Sequence, residues 1–127
     1  MKRKEESGLH KILFYKDRDN KELVREYMQE LAAQNTKDAR IKLHKIQDYI
    51  NVLAAYGTRA GEPYVKKVDD KCDIWELRPA SDRIMFAAWI NNSFVLLHSF
   101  PKKTQKTPQR EIEKARRELK DLKERGL

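Results

Sequence analysis

The side chains best suited to chemistry are four cations near the ends of predicted strands. Arg78 and Arg83 carry planar, permanently charged guanidinium groups whose geometry matches phosphate oxygens. Lys102 and Lys103 follow the last predicted strand and add two point charges. Together these residues predict a surface that binds the phosphates of a polyanion.

Two further residues in the same part of the chain could transfer a proton. His98 lies in the last predicted strand, and an imidazole can act as an acid or a base near neutral pH. Glu76 stands two residues before Arg78 and is a second candidate base. Each has a structural alternative: Glu76 as the ion-pair partner of an arginine, and His98 as a hydrogen-bonded structural histidine.

The net charge also favours an anionic partner. The chain has 28 Lys and Arg against 20 Asp and Glu, a net charge of +8. Residues 101–127 alone hold ten basic and five acidic groups. This excess predicts binding to RNA, DNA or an acidic protein surface, with a solvated, charge-rich helix as the alternative.

Eight elements must position these groups. Hydrophobic periodicity predicts the order β-α-α-β-β-β-β-α, with helical spacing before Gly57 and alternation after Pro63. The joins between the last four strands are short and rich in turn residues, as an antiparallel meander requires. The five strands are predicted over Leu9–Tyr15, Tyr64–Val68, Cys72–Arg78, Arg83–Ile90 and Phe94–Phe100.

The helix starts are predicted from capping residues. Asp19 and Glu22 have capping-box spacing ahead of the first helix. Asn35 or Thr36 can cap the second helix. The last helix is predicted to start with Thr107 as its cap and Pro108 as its first residue.

Alternation along the strands predicts which side chains share a face. If Trp75 and Leu77 face the two N-terminal helices, Glu76 and Arg78 point the other way. The inward sets of the next two strands are then Ile84, Phe86, Ala88 and Ile90, followed by Val95, Leu97 and Ser99. The opposite face receives Arg78, Arg83 and His98 together with Trp89, Leu96 and Phe100. The apolar side chains on this face predict that it is partly covered by the chain itself or by a partner.

Length and composition predict one folded domain at residues 9–127, preceded by a flexible basic N-terminus at residues 1–8. The lone Cys72 has no disulfide partner within the chain, which favours a reducing cytoplasm. The longest apolar run, residues 84–90, is too short to span a bilayer. The chain has no HExxH motif, carboxylate cluster or glycine-rich loop, so neither a metal nor a nucleotide cofactor is predicted.

Three ordered tracts carry a family resemblance. They are WELRP at Trp75–Pro79, DRI at Asp82–Ile84 and LLHSFPKKTQKTP at Leu96–Pro108. With the segment Ala60–Lys66 they closely resemble the phage-derived, HigB-like branch of the RelE/ParE toxin superfamily. The resemblance covers nearly all of residues 9–120.

The resemblance implies an α+β fold of the RelE/ParE kind, with a small twisted antiparallel sheet packed against two N-terminal helices and a C-terminal helix. It also implies a type II toxin that cuts messenger RNA on the translating ribosome and so inhibits translation and growth. A HigA-like helix-turn-helix antitoxin would neutralise it in a toxin-antitoxin hetero-oligomer. Messenger RNA and ribosomal RNA would be its other partners.

Metal-independent RNA cleavage needs a base for the 2′-hydroxyl, cations around the phosphorane and an acid for the leaving 5′-oxygen. The residues predicted for these roles are Arg78, Arg83, His98, Lys102, Lys103 and Glu76. Phosphate contacts that position the RNA are predicted for Lys102, Lys103, Lys106, Arg110 and Arg117.

Two other functions stay open at this point. ParE-type relatives share the fold but poison DNA gyrase without cutting RNA. The chain could also bind nucleic acid or an antitoxin without catalysis, since its acid and base are not defined by any motif.

Overall fold

The computed structural model describes residues 9–127, so the predicted flexible N-terminus at residues 1–8 lies outside the described residues. The element order is β-α-α-β-β-β-β-α, as predicted, with a short 3-10 turn at Gly57–Ala60. The strands are β1 Lys11–Phe14, β2 Val65–Asp69, β3 Ile74–Leu77, β4 Asp82–Trp89 and β5 Ser93–Pro101. The helices are α1 Leu23–Ala33, α2 Lys37–Tyr56 and α3 Gln109–Arg125.

The five strands form one sheet in the order β1-β5-β4-β3-β2. The strands β2 to β5 make the predicted antiparallel meander. Asn91 and Asn92 both have φ 59° in the turn between β4 and β5, the left-handed conformation that tight hairpins need. The first strand joins the sheet in parallel beside β5, so the sheet is mixed at that edge.

Helices cover both faces of the sheet. The α1–α2 hairpin packs on one face around Ile46, Leu53 and Phe86. The helix α3 packs on the other face, where Ala115, Leu119 and Leu122 meet strand residues. The α+β fold is confirmed, and the chain itself covers the face predicted to need cover.

Strand alternation correctly assigns β3 and β4 but fails in the first half of β5. Leu96 was predicted on the α3 face and instead joins the core under α1 and α2. Val95 and Leu97, predicted under α1 and α2, pack against α3. The reason is a β-bulge: Met85 pairs with His98 while Phe86 pairs with Leu96, which leaves Leu97 as the extra residue. One inserted residue reverses the alternation before it and leaves His98 on the predicted face.

Two residues of the predicted inward set are exposed. Ala88 lies on the predicted strand but outside the core, and Ile90 lies in the turn beyond the end of β4. Ile90 has 66% of its surface exposed.

Only one of the three predicted caps forms. The Thr36 hydroxyl accepts a hydrogen bond from the Ala39 N–H at 3.1 Å, which caps α2 as predicted. The Asp19–Glu22 capping box is wrong, because α1 begins after Glu22 without a side-chain cap and Glu22 binds Arg25 instead. Thr107 does not cap α3 either.

Within residues 9–127, none of the helices combines the length and the apolar character that crossing a bilayer requires.

Candidate functional site

Three predicted site residues meet on the α3 face of the sheet. The Glu76 carboxylate is 2% exposed, and its Oε1 lies 3.5 Å from the Arg78 Nε and 3.8 Å from the Arg83 Nε. The Thr107 hydroxyl donates to the Glu76 Oε2 at 2.8 Å, which explains why it does not cap α3. We call Glu76, Arg78, Arg83 and Thr107 the Glu76 cluster. It brings the predicted base and both predicted arginines together.

The guanidinium group of Arg83 is committed to the backbone as well as to Glu76. Its Nη1 donates to the carbonyl oxygens of Ala80 at 2.9 Å and Asp82 at 2.8 Å. Burial, and then the neighbouring charge of Arg78, lower the pKa of Arg83, while Glu76 partly offsets both effects. Arg83 therefore supports the turn before β4, where Ala80 has φ 52°.

The loop at residues 102–108 closes over the Glu76 cluster. The Lys102 N–H donates to the Ser81 carbonyl at 2.8 Å, and the Thr104 hydroxyl donates to the Lys106 carbonyl at 2.6 Å. The cavity left between the loop and the Glu76 and Arg83 side chains is about 10 Å³. This is barely the space of one water molecule. A phosphate group can reach Glu76 or Arg83 only if the loop moves.

His98 lies beneath α3 and is 1% exposed. Its Nδ1 lies 2.6 Å from the Glu118 Oε1, and its Nε2 lies 2.9 Å from the Glu111 Oε1. A neutral imidazole carries one N–H, so these two bonds require either a second ring proton or a protonated glutamic acid. Because both ring nitrogens are used, the geometry favours the structural alternative and gives His98 no open atom for a substrate.

The exposed predicted cations fall into two groups. Lys102, Lys103 and Lys106 all lie on the 102–108 loop, and Arg110 follows in the first turn of α3. Arg117 lies two helical turns further along, where it lines a separate groove with Tyr15. The structure thus gathers the lysines around the loop but not Arg117.

Further hydrogen bonds connect α3 to residues at the edges of the sheet. The Arg116 Nε donates to the Asp69 Oδ2 at 2.5 Å, a bond that lowers the pKa of Asp69. The Tyr15 hydroxyl donates to the Asp121 Oδ2 at 2.6 Å. Burial, followed by this hydrogen bond, raises the pKa of Tyr15 to about 12. Together with the two hydrogen bonds of His98, these contacts hold α3 in place over the apolar side chains that lie between it and the sheet.

An open cleft lies on the other side of Lys102. Its volume is about 350 Å³, and its lining includes Tyr27, Lys42, Ser81, Asp82, Phe100 and Lys102. We call it the Tyr27 cleft. Asp82 is 4% exposed and accepts a hydrogen bond from the Tyr27 hydroxyl at 2.8 Å. Burial, and then this bond to Asp82, raise the pKa of Tyr27, so it remains a neutral donor at physiological pH.

Sequence reasoning missed the Tyr27 cleft. Tyr27 fits the apolar period of α1, and this period does not reveal where its hydroxyl points. The usable signal was strand alternation: Asp82 precedes Arg83 in β4 and must face the opposite side of the sheet. Within the described range, no set of three or more His, Cys, Asp or Glu side chains is placed to hold a metal ion.

Comparison with known proteins adds a family. The model of the family described as "Phage derived protein Gp49-like (DUF891)" matches residues 16–120, most of the chain. A search of curated proteins found no match.

Proposed function

Because the chain belongs to the phage-derived Gp49-like family, a toxin-like family of the RelE/HigB kind, we propose that it is the toxin of a type II toxin-antitoxin pair. Its proposed activity is cleavage of messenger RNA on the translating ribosome, which would place it in the cytoplasm. The observation that carries the proposal is the set of exposed lysines on the 102–108 loop, directly above the Glu76 cluster.

The proposed reaction uses the cluster and the loop together. When the loop moves, the 2′-hydroxyl attacks the adjacent phosphorus while Glu76 removes its proton. The P–O5′ bond then breaks to leave a 2′,3′-cyclic phosphate, and the proton taken up by Glu76 passes to the leaving 5′-oxygen. Arg78, Arg83 and Lys102 stabilise the charge that develops on the phosphorane oxygens. Lys103, Lys106 and the first turn of α3 contact neighbouring phosphates and position the RNA.

Induced expression without an antitoxin tests this proposal. The wild-type protein should arrest growth and leave cut messenger RNA, read as new 5′ ends by primer extension. The Lys102→Ala/Lys103→Ala double variant should reduce cleavage by about 100-fold, because it removes one transition-state cation and one cation that positions the RNA. Lys66→Ala, an exposed lysine of β2, is the matched control and should cut as the wild type does. Growth arrest with intact transcripts and DNA breaks would favour a gyrase poison instead.

The proposed inhibitor is a HigA-like helix-turn-helix protein in a hetero-oligomeric complex. A basic loop beside partly buried Phe100 suits an acidic partner with an apolar anchor. Co-expression with the product of the adjacent gene should abolish toxicity and yield one complex on purification. A lone, non-toxic product would count against the pairing.

A second candidate function is binding without catalysis. It is favoured by the closure of the Glu76 cluster, whose polar groups are already paired with one another. In that case Glu76→Gln should leave toxicity unchanged, whereas a catalytic Glu76 predicts its loss.

A further inference from the structure

The reaction described above leaves the Tyr27 cleft unused. At about 350 Å³ it has the size of a small-molecule site, in contrast to the closed space above the Glu76 cluster. It lies between the α1–α2 hairpin and the ends of β4 and β5.

The cleft contains a buried acceptor. Asp82 is 4% exposed, and the hydroxyl of Tyr27 binds only its Oδ1. A carboxylate offers about four acceptor positions and no donor, so most of the capacity of Asp82 is left for a ligand that presents N–H groups. Tyr27 fixes the orientation of this carboxylate and is a positioning residue.

The rest of the lining suits a nucleotide. The aromatic ring of Tyr27 offers apolar surface to a base, and Lys42 and Lys102 offer charge to a phosphate. Lys102 also lines the cavity beneath the 102–108 loop. A phosphate held by Lys102 would therefore stand at the junction of the Tyr27 cleft and the Glu76 cluster.

We propose that the Tyr27 cleft binds one nucleotide of single-stranded RNA beside the scissile phosphate, and that Asp82 selects a base carrying an amino group. Adenine, cytosine and guanine present an amino donor to a carboxylate, whereas uracil flanks its single N–H with two carbonyl oxygens that a carboxylate repels. This inference deepens the proposed function by naming a substrate subsite, and it rests on that function.

Binding of uncleavable RNA tests the subsite separately from catalysis. The probes are fluorescent 2′-O-methyl hexanucleotides of adenine, cytosine or uracil, and the readout is anisotropy with the full-length protein. The wild type should bind the adenine and cytosine probes about tenfold more tightly than the uracil probe. Asp82→Asn should bring the ratio close to one, because an amide also donates to uracil carbonyls. Tyr27→Phe should reduce the ratio without abolishing binding.

The matched pair for the phosphate contact is Lys42→Ala and Lys45→Ala. Both lysines are on α2, but only Lys42 lines the cleft. Lys42→Ala should weaken all three probes about fivefold and lower the salt dependence by about one phosphate contact, whereas Lys45→Ala should change neither. Equal behaviour of the two variants, or a base preference that survives both Tyr27→Phe and Asp82→Asn, would overturn the proposal.

The two proposals fail in different ways. A wild type that binds the probes with the predicted preference but cuts no messenger RNA in cells supports the subsite and defeats the nuclease. A wild type that cuts messenger RNA while Lys42→Ala and Lys45→Ala bind alike supports the nuclease and defeats the subsite.

Discussion

The Glu76 cluster and the Tyr27 cleft lie on either side of Lys102. Each contains a buried carboxylate, but the two carboxylates differ in how many of their acceptor positions are occupied. Glu76 is surrounded by two arginines and a hydroxyl, under a cavity of about 10 Å³. Asp82 has one hydroxyl partner and faces a cleft of about 350 Å³. A carboxylate satisfied by its neighbours is closed to a ligand until the loop moves, whereas one with free acceptor positions is available at once. Residue type alone did not distinguish the two.

The largest expected difference between the two regions is in stability. Glu76→Ala should cost about 3–5 kcal/mol of unfolding free energy, because it leaves the Arg78 and Arg83 charges together in a buried site. Urea unfolding followed by tryptophan fluorescence measures this loss. Asp82→Ala should cost less, since the hydroxyl that it leaves behind is neutral. A smaller loss for Glu76→Ala than for Asp82→Ala would contradict the distinction between a paired carboxylate at Glu76 and an available one at Asp82.

A titration to alkaline pH tests whether the hydrogen bond to Asp82 keeps the Tyr27 hydroxyl protonated. The folded-state pKa values of Tyr27 and Tyr15 are raised above the unfolded value of about 10, so folding favours their neutral phenols. This stabilisation is complete below pH 10 and is lost as the pH rises through the folded pKa. For Tyr15, whose pKa rises to about 12, the loss amounts to about 2–3 kcal/mol.

Absorbance at 295 nm should then show both tyrosines ionising late, together with unfolding. Tyr27→Phe and Tyr15→Phe should each remove one tyrosine from the set that ionises at unusually high pH. Tyr56→Phe is the control, because the side chain of Tyr56 is exposed. If Tyr27→Phe gives the same titration as Tyr56→Phe, the Tyr27–Asp82 bond does not control the ionisation.

Opening the 102–108 loop should make the Glu76 cluster accessible to a ligand, as the Tyr27 cleft already is. Thr107→Val keeps the shape of the side chain but removes its hydrogen bond to Glu76, for a loss of about 1.5 kcal/mol. Amide hydrogen exchange of the loop should speed up while that of α3 stays unchanged. If Glu76 is the catalytic base, cleavage by this variant should equal or exceed that of the wild type. A strong fall in cleavage would show that the closed loop is the active arrangement.

The element order was predictable because each element carries its own period, and β3 and β4 run without a bulge between them. The bulge at Leu97 was not predictable, because Leu96 and Leu97 are both apolar and either fits either core. His98 was placed on the correct face because the bulge lies before it. Its two carboxylate partners come from α3, and strand alternation contains no information about them.

The meeting of three candidate residues was predictable, but their closure beneath the 102–108 loop was not. Glu76, Arg78 and Arg83 do meet, as alternation along β3 and β4 indicates. The sequence predicts Thr107 as a helix cap and gives no sign of its hydrogen bond to Glu76, which holds the loop over that carboxylate. Whether a charged group is accessible to a ligand depends on contacts between residues far apart in sequence. A local sequence pattern does not encode these contacts.

The smallest expected effect on stability belongs to Lys102, which borders both regions. Lys102→Ala should change the unfolding free energy by less than about 0.5 kcal/mol, because the Lys102 side chain is exposed. The hydrogen bond from its backbone N–H to the Ser81 carbonyl is kept in the variant. The substitution should nevertheless weaken binding of the uncleavable probes and reduce messenger RNA cleavage. Lys103→Ala is the matched control, because Lys103 lines the cavity beneath the loop but not the Tyr27 cleft. If the two regions work together through Lys102, Lys102→Ala should weaken both cleavage and the binding of a single mononucleotide in the cleft, whereas Lys103→Ala should reduce cleavage and leave the binding of that mononucleotide unchanged.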